Sequence, residues 1–184
     1  MKDQKNQLFF DSYEAIQYNL NTIFKRIEVF QMSKLVILVG VPGSGKSTFG
    51  KEYANEHNLI VVSSDELRQT LFGDATNQEH NKVLFNIIDR IVDELLRDGL
   101  SVLLDATNLS VWSRKRFIQK AERYLVHASA LVIHTSLETA KRRNAARERV
   151  VPDSVIERMY KGLEMPTTEE GFDEVIIINN DEDK

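Results

Sequence analysis

Gly40-Val41-Pro42-Gly43-Ser44-Gly45-Lys46-Ser47 matches G-x-x-x-x-G-K-[ST] in full, and each residue type in it has a task if the loop holds a polyphosphate. Glycines let the backbone turn so that the N–H groups of Gly43, Ser44 and Gly45 face inward as a concave anion site. The positive end of a following helix reinforces it. Lys46 adds a point charge for β- and γ-phosphates, and Ser47 offers a hydroxyl to a bridging Mg²⁺. Thr48 stands one position past that hydroxyl and is assigned to the nucleotide rather than the metal. Such a loop names no acceptor, because GTPases, motor ATPases and small-molecule kinases share it.

The acceptor chemistry has to come from charged residues elsewhere. Asp65 follows Val61-Val62-Ser63-Ser64 at the carboxyl end of a predicted strand, the edge at which open parallel sheets bind ligands. A carboxylate there can accept the proton of an attacking hydroxyl, and Arg68, three residues on, shares its helical face and can hold an anionic part of the acceptor. The alternative is a structural one, with Asp65 capping a helix that begins at Glu66 and Arg68 pairing with it. Asp105 closes the run Ser101-Val102-Leu103-Leu104 at the same edge, as a Walker B aspartate does, either holding Mg²⁺ directly or through water or bonded to the loop serine or the Thr107-Asn108 turn.

Lys141, Arg142, Arg143, Arg147 and Arg149 form the densest basic cluster. On a helix predicted over 137–149, Arg143 and Arg147 lie four apart and share a face, so both can meet a triphosphate if the segment closes as a lid. Arg114, Lys115, Arg116, Lys120 and Arg123 read as a solvated helix face in preference to the alternative, an acceptor groove. His57, His80, His127 and His134 lack metal-ligand spacing, and Trp112 reads as a packing residue rather than a base-stacking platform.

The elements that must position these groups follow from hydrophobic periodicity. Runs at 35–39, 59–62, 100–104, 128–134 and 175–178 predict five strands, the first buried on both faces. Leu84, Ile87, Ile88, Ile91 and Leu95 mark a helix ended by Gly99; Ser110 caps another running to about Tyr124; 137–149 and 153–164, separated by Pro152, complete the set. Alternating strands and helices predict a three-layer α/β fold around a mostly parallel sheet. Ahead of it, Tyr13, Ile16, Leu20, Ile23, Ile27 and Phe30 form a heptad seam on one helix, suited either to packing on its own domain or to a partner or second copy through residues 11–31. The expected division is therefore a helical extension over 1–32, a P-loop α/β domain over 33–180 and an acidic tail over 181–184.

At 184 residues, 42% of them apolar and none Cys, the chain suits one compact domain and excludes a disulfide framework, a thiolate metal site and a cysteine nucleophile. A net charge of −4 gives no overall footprint for wrapping duplex nucleic acid. No signal sequence or membrane span is read from the chain, and the expected location is the cytoplasm.

Taken together, the loop from Gly40, Ser64-Asp65-Glu66-Leu67-Arg68, Asp105-Ala106-Thr107-Asn108-Leu109, Arg143-Asn144-Ala145-Ala146-Arg147 and Val151-Pro152 resemble the phage-type polynucleotide 5′-kinase module of the AAA-like zeta-toxin/polynucleotide kinase family, over residues 34 to about 178. The resemblance implies a P-loop NTPase fold with an arginine lid, using ATP and Mg²⁺. It implies that Asp65 is the general base on a 5′-hydroxyl, that Arg68 contacts the acceptor's 3′-phosphate and that Arg147 stabilises the transferred phosphate. Lys46 inherits the phosphate contact, and Ser47 and Asp105 the metal. The expected acceptor is a DNA or RNA end. A small-molecule acceptor (sugar nucleotide, nucleoside, metabolite or antibiotic) shares the same layout, and a nucleotide-dependent switch without an acceptor is the third reading.

Overall fold

Leu35, Ile37 and Val39 alternate with Val36 and Leu38 along one strand, and the two sets enter different cores. That division fixes the layering. In the computed structural model, which describes residues 17–23, 33–75 and 78–181, this strand is β1 (Lys34–Val39), followed by α1 (Lys46–His57), β2 (Ile60–Ser63), α2 (Ser64–Phe72), α3 (Asn81–Arg97), β3 (Val102–Asp105), α4 (Val111–Tyr124), β4 (His127–His134), α5 (Leu137–Ala145), α6 (Asp153–Lys161), a 3-10 turn (Thr168–Glu170) and β5 (Glu174–Asn179).

The strands lie in the order β2-β3-β1-β4-β5, every neighbouring pair parallel. One face of β1 packs with Leu84, Ile88, Val92 and Leu96 of α3 and Phe117, Ile118 and Ala121 of α4. The other packs with Ala54, Phe49 and Tyr53 of α1. A sheet covered on both faces needs strands that are apolar throughout, which is how Leu35–Val39 reads. A third cluster, Val41, Ala140 and Ile156, ties the loop after β1 to α5 and α6.

β1 sits between β3 and β4, so the chain leaves it to one side and later passes to the other. The crevice at its carboxyl end is a topological switch point, where ligands bind in open α/β sheets. The β2–β3 register pairs Ser63 with Asp105, which brings the segment carrying Asp65 beside the Asp105 edge.

Four expectations change. The helix predicted over 137–149 stops at Ala145, because the Asn144 side chain turns back to Val151, accepting from its N–H at 3.1 Å and donating to its carbonyl at 2.8 Å. The helix predicted over 153–164 stops at Lys161. The second basic cluster is solvated at Lys115 and Arg123 but not at two other members: Arg114 is 0% exposed, donating to both Glu170 carboxylate oxygens at 2.6 and 2.8 Å and to the carbonyls of Asn108 and Glu164, while Lys120 is buried between Asp89 and Asp93 at 3.1 Å from each. Trp112, expected to pack, is 79% exposed. Of the heptad seam, residues 17–23 are helical and exposed, and the rest lies outside the described residues.

Candidate active site

Gly43 and Gly45 carry positive φ angles of +84° and +88°, a conformation L side chains rarely adopt. A Cβ on Gly43 would stand 2.1 Å from the Ala140 carbonyl oxygen, and one on Gly45 would stand 2.6 Å from Asn180 Nδ2. The loop is therefore pressed between the lid helix α5 and the chain leaving β5. Asn180 fastens it: its Nδ2 donates to the Ser44 carbonyl at 2.7 Å, and its own carbonyl accepts from Arg143 Nη1 at 2.6 Å. No sequence spacing relates residue 180 to residue 44, and Asn180 was not among the expected site residues.

A cavity of about 260 Å³ opens over the loop, walled by Gly43, Gly45, Lys46, Ser47 and Thr48 and by Arg143 and Arg147. Both lid arginines reach it, although Arg147 lies beyond the end of α5 rather than on the shared helical face expected of it. Ser44 does not present its side chain there. Its hydroxyl is buried without a hydrogen-bond partner among the described residues, so Ser44 offers the cavity only backbone.

Lys46 makes no ion pair among the described residues. Removal from water pushes its pKa down, Asp105 and Asp65 pull it back up, and Arg147 adds to the lowering. A half-buried cation facing further cations and no direct counterion fits a polyphosphate. Asp105, at the end of β3, is buried, and burial pushes its carboxyl pKa up against the opposing effects of Lys46 and a hydrogen bond with the Ser47 side chain. Ser47 and Asp105 thus meet, as a Mg²⁺ site requires. No group of three or more His, Cys, Asp or Glu able to hold a metal occurs among the described residues, and Mg²⁺ ordinarily takes one or two protein ligands with phosphates and water supplying the rest.

A second, larger cavity of about 570 Å³ shares Lys46 and Arg147 with the first and continues past Asp65, Arg68, Arg149 and Arg158. Ser63, not Asp65, caps α2, its hydroxyl accepting from the Glu66 N–H. The capping alternative for Asp65 therefore falls, and its carboxylate projects from the first turn. Arg68 Nη1 donates to Asp65 Oδ1 at 3.0 Å, and Arg149 Nη1 reaches Asp65 Oδ2 at 3.3 Å. Arg68 is 4% exposed; its Nη2 donates to Asn81 Oδ1 at 2.7 Å, and its Nε is buried without a partner. Five cations and one carboxylate line this cavity, so a chain of net negative charge has a site built for an anion. Arg149 and Arg158 were not expected at the site: Arg149 stood in the basic cluster without a spacing that singled it out, and Arg158 belongs to α6.

The loop between β3 and α4 is pinned to the same edge. Asn108, buried at φ +48°, donates from Nδ2 to the Leu38 carbonyl at 2.8 Å, and the Gly40 N–H donates to the Thr107 carbonyl. Asp105 and the phosphate loop are thereby held in register by backbone and amide bonds rather than by their own charges.

A family model described as AAA domain matches residues 35–166, well over half of the chain. The chain belongs to the AAA domain family. This AAA domain is 27% identical over 174 residues to a bifunctional polynucleotide phosphatase/kinase of Schizosaccharomyces pombe, covering 90% of the chain and 39% of that relative. It is 26% identical over 144 residues to an L-seryl-tRNA(Sec) kinase of Methanococcus maripaludis, covering 76% of the chain and 56% of that relative. Among solved structures, a chain of the Pnkp1/Rnl/Hen1 RNA repair complex superimposes with a TM-score of 0.65 at 31% identity, covering 78% of this chain and 47% of that one. The AAA domain thus spans about half or less of the length of these relatives. Likeness to polynucleotide kinases and the five-stranded parallel sheet agree with the fold and family expected from the motifs. No helix among the described residues is long and apolar enough to cross a membrane.

Proposed function

We propose that this AAA domain transfers the γ-phosphoryl group of ATP to the 5′-hydroxyl of a nucleic-acid end. The observation that carries the reading is the joining of the two cavities at Lys46 and Arg147, which sets the Asp65 carboxylate in an arginine-lined chamber next to the phosphate cradle. The names of the polynucleotide phosphatase/kinase relative and of the RNA repair complex support a polynucleotide acceptor.

In this reading Gly43, Ser44 and Gly45 hold the nucleotide through backbone N–H groups, and Lys46, Thr48 and Arg143 through side chains. Asp65 accepts the proton of the acceptor hydroxyl; that oxygen bonds to the γ-phosphorus as the bond to the β–γ bridging oxygen breaks, and ADP leaves with the electron pair. Lys46 and Arg147 neutralise the charge on the moving phosphoryl group. Ser47 and Asp105 would hold Mg²⁺, which when bound would offset the charge of the β- and γ-phosphates. Arg68 binds the phosphate on the 3′ side of the terminal nucleotide. Residues 33–180 carry this chemistry in the cytoplasm, with 1–32 as an extension that engages a partner or second copy and 181–184 as a tail.

The test is transfer from γ-labelled ATP with Mg²⁺ to 5′-hydroxyl DNA and RNA oligonucleotides, with 5′-phosphorylated copies as controls and Asp65→Asn as blank. Label confined to the 5′-hydroxyl strands supports the reading. ATP binding without label on any strand moves the acceptor to a small molecule, and binding without turnover on any hydroxyl leaves a nucleotide-dependent switch.

A further inference from the structure

Among the described residues, Arg114 and Arg123 of α4 pair with carboxylates and Arg116 does not. The Arg116 guanidinium lies over two aromatic rings, 4.6 Å from the centroid of Phe117 and 5.3 Å from that of Phe85. Its Nε is buried without a hydrogen bond, and among the described residues it makes no ion pair. Burial pulls its pKa down while Asp89 opposes, yet Asp89 is already 3.1 Å from Lys120. An arginine stays protonated at any ordinary pH, so a partly desolvated positive charge is left facing a cavity.

That cavity, about 190 Å³, is lined by Arg116 with Ser110 and Ser113 and by Phe85, Ala106 and Thr107. The last three also wall the large arginine chamber, so the two spaces adjoin across a common rim. The end of α4 itself is not what would attract a ligand, since Ser110 Oγ accepts from the Ser113 N–H and Glu164 from the Val111 N–H. One turn before Arg116 stands Trp112, four residues away and so on the same helical face, with most of its surface in solvent. Cation next to exposed aromatic is the pairing that single strands use, phosphate on the one and base on the other.

We propose that Arg116 binds the second phosphodiester of the acceptor, one nucleotide beyond the phosphate at Arg68, and that Trp112 stacks on the adjoining base, so that the domain selects a strand over a mononucleotide. This rests on the reading of the large chamber as the acceptor site. It adds a requirement that chamber does not impose, because a single nucleotide with a 3′-phosphate fills the chamber without crossing the Phe85-Thr107 rim.

The experiment compares kcat/KM for a nucleoside 3′-monophosphate and for a 5′-hydroxyl trinucleotide with the same first residue, in the full chain and in Arg116→Met, Arg116→Lys and Trp112→Ala. The full chain is expected to favour the trinucleotide by about tenfold or more, and Arg116→Met to erase about tenfold of that through KM. Mononucleotide turnover stays unchanged in every variant, which also shows that they fold, and Arg116→Lys recovers part of the loss. Trp112 is the only tryptophan in the chain, so its fluorescence should be quenched by the trinucleotide and not by the mononucleotide. Equal loss on both acceptors, or no loss on either, overturns the strand subsite while leaving the proposed function intact. Failure of the full chain to phosphorylate either acceptor overturns the proposed function, and this inference with it.

Discussion

Arg149 Nη1 lies 3.3 Å from Asp65 Oδ2 while Arg68 Nη1 holds Oδ1 at 3.0 Å, so both oxygens of one carboxylate are engaged by arginines from different parts of the fold. Arg68 is fixed on α2, whereas Arg149 comes from the segment after α5 that also carries Arg147. In its proposed role as base, Asp65 is orientated by these two contacts, one of which ties it to the segment carrying Arg147. Replacing Asp65 by Asn should cut turnover by about a hundredfold or more while nucleotide binding stays near its original strength. Arg149→Ala should lower kcat by about tenfold, since misplacing a base is costly even when it is present. Steady-state kinetics beside a nucleotide-binding titration separates the two, and unchanged kcat in Asp65→Asn would remove the base assignment.

Lys46 is a cation without an ion-pair partner among the described residues, beside a cavity shared with Arg143 and Arg147. Charge-assisted bonds to phosphate contribute about 1.5–3 kcal/mol each. Lys46→Met is therefore expected to weaken ATP binding by about ten- to a hundredfold, measured by calorimetry, with a smaller effect on AMP, which lacks the β- and γ-phosphates.

The Arg114–Glu170 pair is buried on both sides and ties α4 to the turn before β5. Breaking such a pair leaves an uncompensated group in the interior, at a cost of about 3–5 kcal/mol. Arg114→Met also strips donors from the Asn108 and Glu164 carbonyls. Urea unfolding should place this variant about 3–5 kcal/mol below the original protein, and Glu170→Gln between the two.

Asp181, just past β5, accepts from Thr135 Oγ1 at 2.8 Å and from the Ser136 N–H at 2.6 Å, where Ser136 caps α5. The Ser136 backbone bond, followed by bonds from the Thr135 and Ser136 side chains, holds its carboxyl down to about 2. A depressed carboxylate stabilises the fold above its unfolded pKa of about 3.9, and that contribution fades as pH falls through the folded value. The acid limb between about pH 4 and pH 2 should therefore be shallower in Asp181→Asn, and its Tm at neutral pH lower. Superimposable pH profiles for the two proteins would refute this.

Sequence alone determined the parts of the molecule that are local. The phosphate loop is contiguous, so its glycines, Lys46 and Ser47 are legible from spacing; the five strands and the α3 face are legible because burial on one or two faces leaves a period in the residues. Asp65 and Asp105 could be placed at one edge because each closes a predicted strand. What only tertiary structure decided is whatever depends on two distant segments meeting. Arg149 and Arg158 enter the larger cavity because Asn144 folds the chain back at Val151. Asn180 grips the loop from 136 residues away, and Arg114 is buried because Glu170, 56 residues on, meets its charge. A charged side chain reads as solvated until its counterion is known, and the counterion is chosen by how the layers pack, which no period in the sequence records.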